Sequence, residues 1–206
     1  MRLFVAIDID EPIRERLTRF LEGVRGFAPA DEVRWVRPES LHLTLKFIGE
    51  AGPERAEQIQ RALGTIRGQA AEFSFRGYGF FPTVNAPRVF WVGIQAGPRL
   101  SQLAAAVDAA LAPFSIARER QPYTPHLTLA RAGSGRPQRA PGDAPSSRFR
   151  RLQEKLAAAP EPEFSTMTAR EFFLYESKLS PKGAEYRKIE RFPLTEFLVS
   201  GFSFLV

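Results

Sequence analysis

The feature of this sequence best suited to chemistry is a repeated tetrapeptide. HLTL occupies residues 42–45 and recurs at residues 126–129, and the two copies contain both histidines of the chain. Background residue frequencies would place Leu-Thr-Leu after a given histidine roughly once in a thousand times or less. The repeat therefore indicates a duplication or a shared constraint, and it selects both histidines as candidate functional residues.

Each copy has the alternation of a β-strand that is buried on one side. Residues i and i+2 of a strand point to the same face, so we expect His42 and Thr44 to share one face while the leucines beside them pack into a core. His126 and Thr128 stand in the same relation. Each copy is therefore expected to present an imidazole beside a hydroxyl on a rigid support.

Two such strands facing each other across a cleft would surround a small ligand with two imidazoles and two hydroxyls. A neutral histidine can take a proton from attacking water or hydroxyl, and a protonated histidine can give one to the leaving oxygen. The hydroxyls can donate hydrogen bonds to non-bridging oxygens, where negative charge accumulates. These groups suit the cleavage of a phosphodiester without a metal ion, and the candidate catalytic residues are His42, His126, Thr44 and Thr128.

Residues near the two motifs supply candidates for substrate contacts. Arg131 lies five residues after His126 and could neutralise phosphate charge through a forked contact, whereas Lys46 lies four residues after His42, so we expect their roles to differ. Aromatic side chains can stack on a base. The aromatic candidates are Phe47, Phe80, Phe81, Trp91 and Tyr123; among them we favour Tyr123, Phe80 and Phe81, and we expect Trp91 to fill the core.

Other catalytic chemistries lack the residues they need. The chain has no cysteine, which removes disulfides, thiolate catalysis and cysteine-ligated zinc. No acidic residue lies at a ligand-like spacing from either histidine, and no G-x-S-x-G turn of a serine hydrolase occurs. We therefore expect neither a metal ion nor a cofactor.

Composition and charge favour a globular protein that meets a polyanion. Of the 206 residues 44% are hydrophobic and 25% charged, and the net charge of +6 favours nucleic acid as a partner, although an arginine-rich composition can have a genomic origin. The loop over residues 133–146 is rich in Gly, Pro, Ser and Arg, and its arginines can meet a phosphate backbone or simply face water. The first residues lack an export signal, and no apolar stretch is long enough to span a membrane. We expect a cytoplasmic monomer.

Hydrophobic periodicity predicts interleaved strands and helices. Strands are predicted over residues 3–9, 41–49, 73–81, 88–94, 123–131, 168–177 and 184–194, with a short strand around EVRWV; helices are predicted over 11–25, from Pro53 through Ile66, around 99–112 and near 147–158. Tight loops join several adjacent strands. This pattern predicts an α+β fold with antiparallel sheets, formed by residues 1–206 as a single two-lobed domain.

Taken with their flanking segments, the two motifs resemble those of the 2H phosphoesterase superfamily. More narrowly, the chain is similar to the RNA 2′,3′-cyclic phosphodiesterases, also called 2′-5′ RNA ligases. The similarity covers nearly the whole chain, through the segments RLFVAID, WVRPESLHLTLKFIGE, GYGFFP, PRVFWVGI, PYTPHLTLAR and LYESKLSPKGAEYRKIERFPL. The resemblance implies two pseudo-symmetric lobes of antiparallel sheet, flanked by helices, with the active cleft between them.

The resemblance also implies a reaction. It is the hydrolysis of an RNA 2′,3′-cyclic phosphate to a 2′-phosphomonoester, with His42 as proton donor and His126 as proton acceptor. The identical tetrapeptides do not themselves distinguish these roles. Three alternatives remain open: reversible 2′-5′ ligation of RNA, a small cyclic nucleotide as substrate, and a non-catalytic module that binds RNA ends or nucleotides.

Overall fold

The computed structural model of the protein describes residues 1–28, 32–118, 122–133, 148–180 and 183–196. Its strands are β1 (Arg2–Asp8), β2 (Val33–Trp35), β3 (His42–Glu50), β4 (Ala71–Phe81), β5 (Val89–Ala96), β6 (His126–Ala132), β7 (Glu163–Ala169), β8 (Glu171–Ser180) and β9 (Gly183–Pro193). Its α-helices are α1 (Glu11–Val24), α2 (Pro53–Leu63), α3 (Pro98–Leu111) and α4 (Arg150–Ala157). Most of the predicted loop over 133–146, including Arg136 and Arg139, lies outside the described residues.

The strands form two antiparallel sheets. Sheet A has the order β3-β1-β8-β9, and sheet B has the order β2-β6-β5-β4-β7. Sheet A combines strands from both ends of the chain, and sheet B takes β2, β4 and β5 from the first half and β6 and β7 from the second, so the two sheets are not the two halves of the sequence. The predicted α+β class, with antiparallel sheets and flanking helices, is confirmed.

Alternation along the strands places one face of each sheet in the core. In β1, Leu3, Val5 and Ile7 are buried in the main hydrophobic cluster, together with the apolar faces of the helices. Phe4 and Ala6, which alternate with them, belong to a second and smaller cluster. The face of sheet A that carries this second cluster is therefore the face turned away from the main core.

Two predicted boundaries were wrong for local reasons. Helix α2 ends at Leu63, because the chain reaches Gly64, so Ile66 lies beyond the helix. The strand predicted over 168–177 is divided: residues 168–169 end β7, which the sequence prediction had missed, and β8 begins at Glu171. The other predicted helices and strands are present, most within two or three residues of their predicted limits.

No helix in the described part of the chain has both the length and the apolar character that crossing a membrane requires.

Candidate active site

The two motifs lie on neighbouring strands of different sheets. β3 forms one edge of sheet A, β6 is the second strand of sheet B, and residues of β3 and β6 contact each other. Within each motif the histidine and threonine are half-buried and the leucines are buried. The predicted alternation of the two tetrapeptides is therefore confirmed.

Both motif strands contain an irregularity at the same point of the repeat. In β3 the pairing with β1 skips Leu45, and in β6 the pairing with β5 skips Leu129. In each strand the skipped leucine and the residue after it, Lys46 or Ala130, are buried together. Such a β-bulge reverses the alternation of the residues that follow it.

The reversal decides which side chains share the face of the histidines. Phe47 and Arg131 come after the bulges, both are exposed, and they occupy equivalent positions in the two strands. Phe47 is 56% exposed and lies 6.3 Å from the ring of Phe4, which in turn contacts His42. The histidine face therefore carries a phenyl ring on one strand and a guanidinium on the other.

The two imidazoles are held in the same way. Nδ1 of His42 lies 2.8 Å from the carbonyl oxygen of Ser40, and Nδ1 of His126 lies 2.8 Å from the carbonyl oxygen of Thr124. A carbonyl oxygen only accepts hydrogen bonds, so each Nδ1 carries the proton and donates it. In the neutral form of each ring, Nε2 is then a free base that can receive a proton from a ligand.

Aromatic rings surround His42. Its ring centroid lies 4.8 Å from that of Phe4, 5.0 Å from Tyr186 and 6.1 Å from Tyr175. Burial lowers the pKa of His42 from 6.5 to about 4, although the Ser40 hydrogen bond opposes this shift. Without a ligand, His42 is therefore neutral near pH 7.

His126 has a similar but more open setting. Its ring makes an edge contact with Phe81 at 4.9 Å and lies 6.1 Å from Trp91. Burial lowers the pKa of His126 below its ordinary value, against the opposing effect of its hydrogen bond to the Thr124 carbonyl. Both imidazoles are thus available as bases at neutral pH.

The positive charge of Arg131 acts on both histidines. After burial and the backbone hydrogen bond, its guanidinium also lowers the pKa of His42 and that of His126. A charge that acts on both rings must lie near both. The duplicated motifs therefore converge on one place, and the structure brings Arg131, predicted as a phosphate contact, to that place.

A carboxylate beside His42 was not predicted from the sequence. Asp8 ends β1 directly opposite His42, and its negative charge raises the pKa of His42. Burial acts to raise the pKa of Asp8 itself, but contacts with Lys188 at 2.5 Å and Arg14 at 2.9 Å outweigh it and keep the carboxyl ionised. The alternation of β1 places Asp8 on the same face as Phe4 and Ala6, and this pattern in the sequence could have identified Asp8 as a site residue.

Tyr123 connects the segment that precedes β6 to β3. Its hydroxyl donates a hydrogen bond of 3.0 Å to the carbonyl oxygen of Thr44, and burial raises the pKa of the phenol, so the hydroxyl keeps its proton. The sequence singled out Tyr123 as a ring that stacks on a base. The structure gives its hydroxyl a contact that fixes its position against β3, and stacking on a base stays a prediction.

Two predicted substrate contacts are buried in the interior. Lys46 is 3% exposed, and its Nζ lies 2.7 Å from Asp108 and 2.6 Å from the carbonyl oxygen of Ala117. The bulge at Leu45 turns Lys46 away from the histidine face, which the spacing from His42 could not reveal. Phe80 is 6% exposed and packs on Phe90 at 5.2 Å, so it belongs to the core.

Trp91 was expected to fill the core, and this prediction was wrong. Its indole is half-buried beside His126 and lies 5.0 Å from the ring of Phe81. A Cβ atom at Gly79 would collide with the six-membered ring of Trp91, so glycine at this position lets the indole lie flat on the sheet. Phe81, one of the favoured aromatic candidates, stands at the same site.

No cluster of three His, Cys, Asp or Glu side chains able to hold a metal ion is found among the described residues.

The chain is similar to known proteins over nearly its full length. A family model described as LigT like phosphoesterase matches twice, at residues 7–91 and 92–186, and each match contains one HLTL motif. An RNA 2′,3′-cyclic phosphodiesterase of Archaeoglobus fulgidus is 34% identical over 93% of this chain and 99% of its own; a protein of the same name from Methanothermobacter thermautotrophicus is 32% identical over 94% and 99%.

Solved structures agree with this similarity. A crystal structure from Thermus thermophilus has a TM-score of 0.72 and 30% identity, covering 94% of this chain and 98% of the other. The crystal structure of Escherichia coli LigT complexed with 3′-AMP has a TM-score of 0.72 and 27% identity, with the same coverage. Two antiparallel sheets that each contribute one His-x-Thr motif define the class of 2H phosphoesterases. Within that class, the chain belongs to the LigT-like phosphoesterase family.

Proposed function

We propose that this protein hydrolyses RNA 2′,3′-cyclic phosphate ends to 2′-phosphomonoesters, without a metal ion, through His42 and His126. The observation that carries the proposal is the convergence of the two motifs: their strands, β3 and β6, contact each other, and the charge of Arg131 acts on both imidazoles. The curated relatives named RNA 2′,3′-cyclic phosphodiesterase support the substrate class. The LigT complex with 3′-AMP supports a nucleotide as ligand.

The proposed reaction is one displacement at phosphorus. Nε2 of His126 takes a proton from water while the water oxygen forms its bond to phosphorus. The bond between phosphorus and O3′ breaks, and Nε2–H of His42 gives its proton to O3′. The products are a 2′-phosphomonoester and a free 3′-hydroxyl, and exchange with solvent restores the two protonation states.

The fixed ring orientation suits both roles. Because each Nδ1 donates to a backbone carbonyl, Nε2 of each ring is directed to the ligand as acceptor or donor. His42 must be protonated to act as acid, although burial favours its neutral form. The negative charge of a bound phosphate, together with Asp8, favours the imidazolium.

The remaining groups act on the phosphate oxygens. Thr44 and Thr128 are half-buried beside their histidines, and their hydroxyls can donate to non-bridging oxygens as charge develops there. Arg131 adds a forked donor of fixed charge. Phe81 and Trp91 beside His126, together with Phe47 on the opposite strand, offer ring surfaces for the nucleoside.

The test is hydrolysis of an RNA oligonucleotide with a 2′,3′-cyclic phosphate end, in EDTA. We expect the His42→Asn and His126→Asn variants each to lose about 10²- to 10⁴-fold in kcat, the usual loss when a general acid or base is removed. Asparagine retains a donor close to the position of Nδ1, so the contact to the backbone carbonyl can survive. Activity near the wild-type level in either variant would overturn the acid–base pair.

Metal independence is tested in the same assay. Wild-type activity should be equal in EDTA and in added Mg²⁺ or Zn²⁺ because every proposed step uses side chains alone. Loss of activity in EDTA that a divalent ion restores would contradict this part of the proposal.

A further inference from the structure

A second arginine lies directly beside Arg131. Arg34 is the middle residue of β2, the edge strand of sheet B, and it is paired with Arg131 on β6. Residues opposite each other in an antiparallel pair point to the same face, with their Cβ atoms about 4.5–5.5 Å apart. The guanidinium groups of Arg34 and Arg131 therefore project from the same face of the sheet.

The other residues of β2 show which face this is. Val33 is buried in the main core, and Trp35 packs its ring against Phe90 at 6.1 Å. Arg34 lies between them and is exposed. Since Arg131 is the group that acts on both histidines, Arg34 lies on the active-site face, one strand further out.

The arginine pair is unusual because like charges directly opposite each other destabilise a sheet. Within the described ranges, no ion pair joins Arg34 or Arg131 to a carboxylate. The acidic residue closest to Arg34 in sequence is Glu32, and its carboxylate lies 3.6 Å from Arg148 instead. An anionic ligand between the two guanidinium groups would relieve the repulsion.

We propose that Arg34 and Arg131 together bind a second phosphate, the phosphodiester that joins the terminal nucleotide to the nucleotide before it. This inference rests on the proposed function, in which Arg131 contacts the reacting cyclic phosphate. RNA carries a phosphate at every nucleotide, so an end bound at the histidines brings its next phosphate nearby. Arg34 would then distinguish RNA ends from free cyclic nucleotides, because a nucleoside 2′,3′-cyclic phosphate has no second phosphate.

The test compares two substrates that differ in this phosphate. One is adenosine 2′,3′-cyclic phosphate, and the other is the dinucleotide ApA with a 2′,3′-cyclic phosphate end. We expect Arg34→Gln to lower kcat/KM for the dinucleotide about tenfold, as for the loss of one charged phosphate contact, and to leave the mononucleotide within twofold of wild type. The decrease of kcat/KM for the dinucleotide with rising salt should also become weaker, because one screened charge–charge contact is lost.

Arg19→Gln is the matched control. Arg19 is exposed on α1, whose buried face packs into the core, so this variant removes the same charge away from the histidine face. We expect this variant to leave kcat/KM unchanged for both substrates. The inference is overturned if Arg34→Gln leaves kcat/KM for the dinucleotide unchanged, or if it lowers kcat/KM for both substrates equally.

The two proposals can fail separately. If the wild-type protein hydrolyses neither substrate, the proposed function is refuted. Hydrolysis of both by wild type, with no selective loss in Arg34→Gln, would refute only the second phosphate site.

Discussion

The burial of His42 predicts a specific dependence of stability on pH. The pKa of His42 is about 4 in the folded protein, against 6.5 as the ordinary value. A folded-state pKa below the unfolded value means that the unfolded chain binds the proton more tightly. The resulting stability is fully present above pH 6.5 and is lost as pH falls through 6.5 toward 4.

The size of the effect follows from these two pKa values. Each tenfold difference in proton affinity corresponds to about 1.4 kcal/mol. At pH 4 the linkage removes about 3 kcal/mol of the free energy of unfolding, a large part of the roughly 5–15 kcal/mol typical of a folded protein. His42→Asn removes the titrating group, so its stability should fall about 3 kcal/mol less than that of wild type between pH 7 and pH 4.

Urea unfolding followed by far-UV circular dichroism, at several pH values from 7 to 4, measures this difference. The comparison uses the change with pH within each protein, so a constant cost of the substitution cancels. His126→Asn provides a second variant that should also reduce the pH dependence, because burial lowers that pKa too. Parallel stability curves for wild type and His42→Asn would refute the account of a buried, neutral His42.

Further predictions concern the supports of the site. Tyr123→Phe removes the hydrogen bond that joins the segment before β6 to β3. It should lower the free energy of unfolding by about 1 kcal/mol and reduce kcat more than it changes KM, as measured by urea unfolding and steady-state kinetics. Gly79→Ala should cost about 1–3 kcal/mol of stability and weaken activity, because its Cβ collides with the indole of Trp91; unchanged kinetics would show that the indole position is unimportant. Lys46→Ala removes the buried partner of the partly exposed Asp108 and should cost about 1.5–3 kcal/mol in thermal or urea unfolding, whereas a purely phosphate-binding lysine would leave stability unchanged.

The sequence was most informative where local pattern determines structure. The HLTL repeat predicted two half-buried strands that each present an imidazole beside a hydroxyl, and the structure has both. The motif similarity also predicted the family and the α+β fold, which the family match and the solved structures confirm. The roles of His42 as acid and His126 as base remain predictions.

The sequence was least informative where long-range pairing determines structure. A β-bulge arises from the registration of one strand against another, so nothing within residues 42–50 indicated that Lys46 would face inward and Phe47 outward. The proximity of Asp8 to His42 and of Arg34 to Arg131 likewise depends on which strands pair. These cross-strand neighbours are the residues that the sequence analysis missed.

The most direct test of the central claim is identification of the product. An RNA oligonucleotide with a 2′,3′-cyclic phosphate end is incubated with the protein in EDTA, and the phosphate of the product is assigned by ³¹P nuclear magnetic resonance. We expect a 2′-phosphomonoester from the wild-type protein and, in the time that wild type needs for full conversion, almost entirely uncleaved cyclic phosphate with His42→Asn or His126→Asn. A 3′-phosphomonoester, or hydrolysis near the wild-type rate in either variant, would contradict this mechanism.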